Sequence, residues 1–196
     1  MQNEKLKYNI ILASNSPRRK ELLAGLDIPF EIKTLPDVDE SFPEGLSNIE
    51  IPVYIAKAKA DAYKQFLNEK NLLITADTIV WLNGKVYGKP ADETEAIAML
   101  EALSGKTHEV VTGVCLTSFE KQIAFSAVSK VKFAELDADE INYYVKKYKP
   151  YDKAGSYGVQ EWIGYIGVES LEGSFYNVMG LPVRLLYQYL KSEFFN

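Results

Sequence analysis

Residues 8–25 read YNIILASNSPRRKELLAG. Tyr8 to Ala13 is a short apolar run with strand character, and Ser14-Asn15-Ser16 is a polar turn. Pro17 suits the first position of a helix, where its fixed φ is already helical and its missing N–H loses no partner. Ser16 is then the N-cap. Leu22, Leu23 and Leu26 give the helix an apolar face, and Gly25 closes it. The stretch predicts strand, tight polar loop, helix. Its charge is unusual, because Arg18 and Arg19 fall in the first helical turn, where the positive end of the helix dipole disfavours cations. Of the 22 basic residues only three are Arg, and two of them are here. A guanidinium offers a planar fork that matches phosphate. Helix N–H groups, the hydroxyls of Ser14 and Ser16 and two Arg together predict an anion site, most simply for phosphate. The competing reading is a surface loop that its arginines merely solvate.

Working outward, Phe30 to Leu35 alternates as a second strand. A loop with four acidic residues follows, Asp37, Asp39, Glu40 and Glu44. Ser47 to Glu50 resembles a capping box for a helix over roughly 50–69. Residues 71–80, NLLITADTIV, form a strand, and Asn83-Gly84 is a strong hairpin signal. Gly88-Lys89-Pro90 is a turn. Asp92 to Glu95 is a second capping box, opening a helix over 93–103 that ends at Gly105. Residues 108–119 and 123–135 are long alternating strands. Residues 139–147 form a helix stopped by Pro150. From 152 to 182 the chain is rich in Gly and aromatics and predicts short strands and turns, before a last helix opened by Pro182. Interleaved strands and helices give an α/β class with a mixed sheet.

The chain has 196 residues, 47% of them hydrophobic, enough for a sizeable core. A net charge of −5 argues against a general nucleic-acid binder. The one cysteine, Cys115, excludes a disulfide framework and a thiolate zinc site. The opening MQNEKLKYN is polar, so no signal peptide is expected. No apolar run approaches the ~18–20 residues of a membrane span, and a cytoplasmic protein is expected.

Four residues stand out chemically. Asp77 lies inside an apolar strand, where Asp is depleted. Buried there, it needs a cation, a metal or hydrogen-bond donors; the alternative is an exposed strand end. Lys59 shares a helical arc with Ile55, Ala62, Tyr63 and Phe66, whereas Lys57 and Lys64 fall opposite. It either snorkels to the edge or points its ammonium into a cleft. Lys89 is aimed by the Gly and Pro of its turn. The Gln160 amide can both donate and accept, which suits a base edge. His108, the single histidine, receives no role. The GxxxxGK[ST] and GxGxxG fingerprints are missing.

The segments ASNSPRRKELL, ADTIV, GKP, LSGKTHEVVTG, DKAGSYGVQ and GSFYNVMGLP occur in that order. Together they resemble the Maf family of nucleoside triphosphate pyrophosphatases over nearly the whole chain, read as one Maf-like domain over 1–196. The resemblance implies a two-lobed α/β fold, with an elongated twisted mixed sheet flanked by helices and the active site in a central cleft. It implies hydrolysis of a nucleoside triphosphate to monophosphate and pyrophosphate with Mg²⁺ or Mn²⁺, by a cytoplasmic homodimer. Asp77 matches the family's catalytic acid; Glu40, Lys59 and Lys89 match active-site positions. Arg18, Thr78 and Gln160 match positions tied to substrate choice and resemble the dTTP/UTP branch more than the 7-methyl-GTP branch. On this reading Ser14, Arg18, Arg19, Lys59, Thr78, Lys89 and Gln160 bind substrate, while Glu40 and Asp77 hold the metal. Asp77 is equally open to a general-base role. After Gln160 the family pattern expects Gly, and this chain has Glu161-Trp162. The rival function is a nucleotide-binding regulator of septum formation without turnover.

Overall fold

The computed structural model describes residues 7–36 and 38–195. Asp37 of the acidic loop, the first six residues and Asn196 lie outside them. The strands are β1 (Asn9–Ala13), β2 (Phe30–Lys33), β3 (Asn71–Leu82), β4 (Lys85–Tyr87), β5 (Thr107–Thr117), β6 (Gln122–Phe133) and β7 (Val168–Glu172). The helices are α1 (Pro17–Ala24), α2 (Glu50–Ala62), α3 (Glu93–Leu103), α4 (Ala138–Tyr148), α5 (Trp162–Gly167), α6 (Phe175–Val178) and α7 (Val183–Phe194). The strands form one sheet in the order β2-β1-β3-β5-β6-β7, with β4 paired to β3. β1 runs parallel to both β2 and β3, while β3–β4 and β6–β7 are antiparallel. The mixed sheet follows from the connections: α1 carries the chain from β1 to a parallel neighbour, and Asn83-Gly84 turns β3 back on itself. Asn83 (φ 50°) and Gly84 (φ 81°) both take the left-handed conformations that such a two-residue turn needs.

The chain divides into two compact units. Among the described residues, one holds those up to 77 together with 112–127 and those from 180 onward, and the other holds 78–111 and 128–179. In the first, Ile11, Leu73 and Cys115 of the sheet pack with Ala56, Ala60 and Tyr63. In the second, Val110, Val131 and Phe133 pack with Leu100 and Leu103 of α3 and with Ile141, Tyr144 and Val145 of α4.

Several boundaries move for local reasons. α2 stops at Ala62 rather than continuing to residue 69. The Asn71 amide donates to the Phe66 carbonyl at 2.9 Å, ending a short 3₁₀ turn at 64–66 and leading the chain into β3. Ser47 and Glu50 make the expected reciprocal contacts, Ser47 N–H to Glu50 Oε2 at 2.9 Å and Glu50 N–H to Ser47 Oγ at 3.4 Å. Gly25 ends α1 but stays right-handed; Asp27 (φ 56°) takes the left-handed residue of the reversal. The Gly- and aromatic-rich segment holds only one strand, β7. The helices α5 and α6 replace the other strands expected there, and Ser174 Oγ caps α6 by accepting from Asn177 N–H at 3.3 Å.

α2 lies directly on β5. A Cβ built on Gly113 would sit 2.3 Å from the Pro52 carbonyl carbon and 2.4 Å from Val53 N. Those are main-chain atoms of the first turn of α2, which cannot swing aside as a flexible side chain would. Gly113→Ala should therefore lower the unfolding free energy by roughly 1–3 kcal/mol, as overpacking does; a denaturation midpoint equal to that of the unmodified protein would contradict this packing.

His108 is part of the second core. It is buried, its Nε2 lies 2.7 Å from the Tyr157 hydroxyl, and its ring stands edge-on to Phe133. Nδ1 has no hydrogen-bond partner among the described residues. Burial lowers its pKa from 6.5 to about 4. The folded chain thus refuses a proton that the unfolded chain takes up. The associated stability is complete above pH 6.5 and is lost as the pH falls toward 4, by roughly 3 kcal/mol in total. Urea unfolding at pH 7, 5.5 and 4.5 should show a steeper loss for the unmodified chain than for His108→Gln, and parallel curves would remove His108 from the linkage.

Candidate active site

Strand β1 delivers the chain to Ser14, and the loop to α1 then caps itself. Ser16 N–H donates to Ser14 Oγ at 3.2 Å, and Arg19 N–H donates to Ser16 Oγ at 3.4 Å. Arg18 and Arg19 are half-buried. Arg19 Nε donates to the Gly180 carbonyl at 2.8 Å and Nη1 to the Ala76 carbonyl at 2.9 Å. The second Arg of the pair therefore ties the start of α1 to the main chain just before Asp77. Burial lowers the pKa of this guanidinium; Asp77 opposes that shift, Arg18 adds to it, and Glu40 opposes it. Two carboxylates thus offset the cost of holding two arginines in one turn.

Asp77 is buried in β3, at 7% exposure, so the exposed-strand-end reading does not hold. Its charge is met by Lys59. Lys59 Nζ lies 2.8 Å from Asp77 Oδ1 and 2.8 Å from Glu40 Oε1. Lys59 does not snorkel; it is 9% exposed, turned inward by its place on the packed arc of α2, while Lys57 and Lys64 are exposed. Glu40 is the most solvated member, its side chain 43% exposed. The neighbouring hydroxyl of Thr75, two residues before Asp77, donates to the Ala56 carbonyl at 2.7 Å and fixes β3 against α2. One ammonium thus joins a helix, a strand and the acidic loop.

Ser14, Arg18, Arg19, Glu40, Lys59 and Asp77 all belong to the first unit. Thr78, Lys89 and Gln160 belong to the second. Thr78 follows Asp77 directly in β3. Lys89 is exposed, and its turn is held by Gly155 N–H, which donates to the Gly88 carbonyl at 3.0 Å. Gln160 is half-buried, and its Oε1 is buried without a hydrogen-bond partner among the described residues. An orphaned acceptor of this kind carries a desolvation cost that a donating ligand would relieve.

Sequence reasoning missed three residues around Gln160. Glu161, noted only as a departure, accepts the Tyr144 hydroxyl and lies with Oε1 3.1 Å from Lys153 Nζ. Lys153 is itself buried at 8% exposure. Burial, and then Glu161, raise the Tyr144 pKa, which keeps its hydroxyl a donor. The signal available in advance was weak: a Lys and a Glu flanking a Gly-rich turn in an otherwise apolar region.

The profile of the Maf-like protein family matches residues 9–193. A Parabacteroides distasonis protein named dTTP/UTP pyrophosphatase is 62% identical over 185 residues, covering 94% of this chain and 96% of that one. A Bacteroides thetaiotaomicron protein of the same name is also 62% identical, with the same coverage. The solved structure of the Staphylococcus aureus Ham1 protein aligns with a TM-score of 0.53 at 21% identity, over 94% of this chain and 99% of that one, a likeness of fold.

The ion pair makes a stability prediction. Lys59→Met leaves Asp77 buried without its cation and should cost roughly 1–3 kcal/mol, less than for a fully enclosed pair because Glu40 is half in water. The double variant Lys59→Met/Asp77→Asn should recover part of that loss. Strictly additive losses in urea titrations would show that the pair is not coupled.

Proposed function

The chain belongs to the Maf-like protein family, and from that premise we propose that it hydrolyses dTTP and UTP to the monophosphate and pyrophosphate. The observation that carries the reading is the Lys59 bridge, which presents two carboxylates and an ammonium beside two arginines. Relatives named dTTP/UTP pyrophosphatase at 62% identity support the substrate class. The 7-methyl-GTP reading and the regulator without turnover are not favoured by the same names.

In this reading Arg18 and Arg19 meet the phosphate charge, and Arg18 supplies the bidentate fork. Lys59 holds Asp77 by Oδ1, which orients the carboxylate so that Oδ2 can take a proton from the attacking water. The water oxygen bonds to the α-phosphorus, the bridge to the β-phosphate breaks, and pyrophosphate leaves. Lys89, Thr78 and Ser14 are assigned to substrate binding on the family match. No group of three or more metal-ligating side chains occurs among the described residues. In the alternative role for Asp77, it and Glu40 would hold Mg²⁺ or Mn²⁺ with substrate oxygens completing the shell, hard oxygen donors that suit these ions. When bound, the cation would supply Lewis-acid stabilisation of phosphate charge. The Gln160 Oε1 acceptor matches the ring N–H of uracil and thymine. The homodimer is carried over from the family resemblance, and the cytoplasm from that resemblance together with the sequence expectation.

The test is product analysis with single nucleoside triphosphates and Mg²⁺ or Mn²⁺. UTP and dTTP should exceed ATP and GTP, with CTP between, and yield pyrophosphate. Orthophosphate plus diphosphate would refute the bond assignment, and preferred purines would refute the substrate class. Asp77→Asn should lower turnover by roughly 10²–10⁴-fold while the chain stays folded; unchanged turnover would remove Asp77 from the chemistry.

A further inference from the structure

A side-chain amide reads a base only if it is pinned. Left to rotate, Gln160 offers its carbonyl to the ring N–H of uracil or its amino group to the ring nitrogen of cytosine, and so tells neither apart. The structure shows what holds the main-chain turn from which that amide projects. Gly158 and Glu161 close a β-turn, with Glu161 N–H donating to the Gly158 carbonyl at 2.9 Å. Val159 and Gln160 are the two central residues of that turn. Val159 is buried, which leaves Gln160 as the residue the turn presents.

One hydroxyl fastens both ends. Tyr144, fully buried on α4, accepts Gly158 N–H at 3.0 Å and donates to Glu161 Oε2. Lys153 holds the other oxygen of Glu161 at 3.1 Å and also meets Asp152 Oδ1 at 2.7 Å. The Glu161 side chain folds back over Gly158, where a Cβ would lie 2.8 Å from its carboxyl carbon. A side chain at 158 would therefore have to displace the Glu161 carboxylate from its place against Tyr144 and Lys153. A glycine at 161, which the family pattern led us to expect, has no side chain to make these contacts.

We propose that Tyr144 and Glu161 are positioning residues for base selection, a staple that fixes the 158–161 turn and so aims the Gln160 amide. This rests on the reading of Gln160 as the base-contacting residue. Neither residue touches the substrate; they act through Gln160. Their effect belongs in discrimination and in KM rather than in the chemical step.

The experiment measures kcat and KM for UTP and CTP, with Mg²⁺, in four intact proteins: the unmodified chain, Gln160→Ala, Tyr144→Phe and the double variant. Tyr144→Phe keeps the ring and removes only the hydroxyl. It should lower the UTP-to-CTP ratio of kcat/KM by roughly 3–10-fold, the worth of one or two hydrogen bonds, through KM, with kcat on UTP held within about two-fold. The double variant should discriminate no worse than Gln160→Ala. Equal losses on UTP and CTP in Tyr144→Phe, or additive losses in the double variant, would overturn the proposal and leave a purely structural contact. A Gln160→Ala protein with undiminished discrimination would instead refute the base-reading role of Gln160 and take this inference with it. Should Tyr144→Phe fail to fold, Glu161→Gln and Glu161→Ala carry the same comparison. The Gln variant keeps an acceptor for Tyr144 and should stay nearer the unmodified ratio than the Ala variant; the reverse order would overturn the staple.

Discussion

The Lys59 ammonium, clamped between Asp77 and Glu40, is the constraint on which the first unit's site depends. A carboxylate inside a strand of Leu and Ile costs too much to bury alone. The counter-charge must come from another element at a fixed depth, and α2 supplies it from its packed face. The same contact holds Glu40 of the acidic loop, whose described residues belong to no helix or strand. Arg19 completes the arrangement from α1, bonding the carbonyl of the residue before Asp77. Charge thus joins helix, strand and loop, and it acts beside the apolar packing of Leu35 and Val38 against the same core.

Two glycine positions show how closely the main chain is used. Gly113 lets α2 rest on the backbone of β5, so the helix bearing Lys59 approaches the sheet nearer than any side chain would allow. Gly158 does the same service for a carboxylate. In both places the space of the missing Cβ is taken by another part of the protein, and in both a candidate site residue, Lys59 or Gln160, lies one to seven residues from the atoms that fill it.

Much of this was legible in the sequence wherever local chemistry decided it. Ser16-Pro17 announces α1, Asn83-Gly84 announces the β3–β4 hairpin, and Asp92 with Glu95 announces α3. Asp77 and Lys59 also stood out, each as a charge in an apolar pattern. What the pattern could not give is the partner. Glu40 and Lys59 are 19 positions apart, Lys59 and Asp77 are 18 apart, and no periodicity links a loop carboxylate to a helix ammonium. α2 ends before the expected residue 69 because the chain passes at Tyr63 into a 3₁₀ turn at 64–66, whose last carbonyl is taken by Asn71 from beyond the helix. The helices α5 and α6 were missed because they are too short for a period to show. Glu161 read as a mere departure because its meaning lies in Tyr144, on a different helix.

Lys59 has a consequence for covalent labelling. Its ammonium is enclosed by carboxylates and shielded from water, and Lys153 is enclosed in the same way by Asp152 and Glu161. Amine-directed reagents and cross-linkers need an accessible nitrogen, so both residues drop out of reach while the fold persists. The lysines that such reagents modify are the solvated ones, Lys57, Lys64 and Lys89 among them. A tag or tether attached through lysine therefore leaves the two charge clusters intact and falls instead on the surface, where only the Gly88-Lys89-Pro90 turn carries a residue assigned to the substrate.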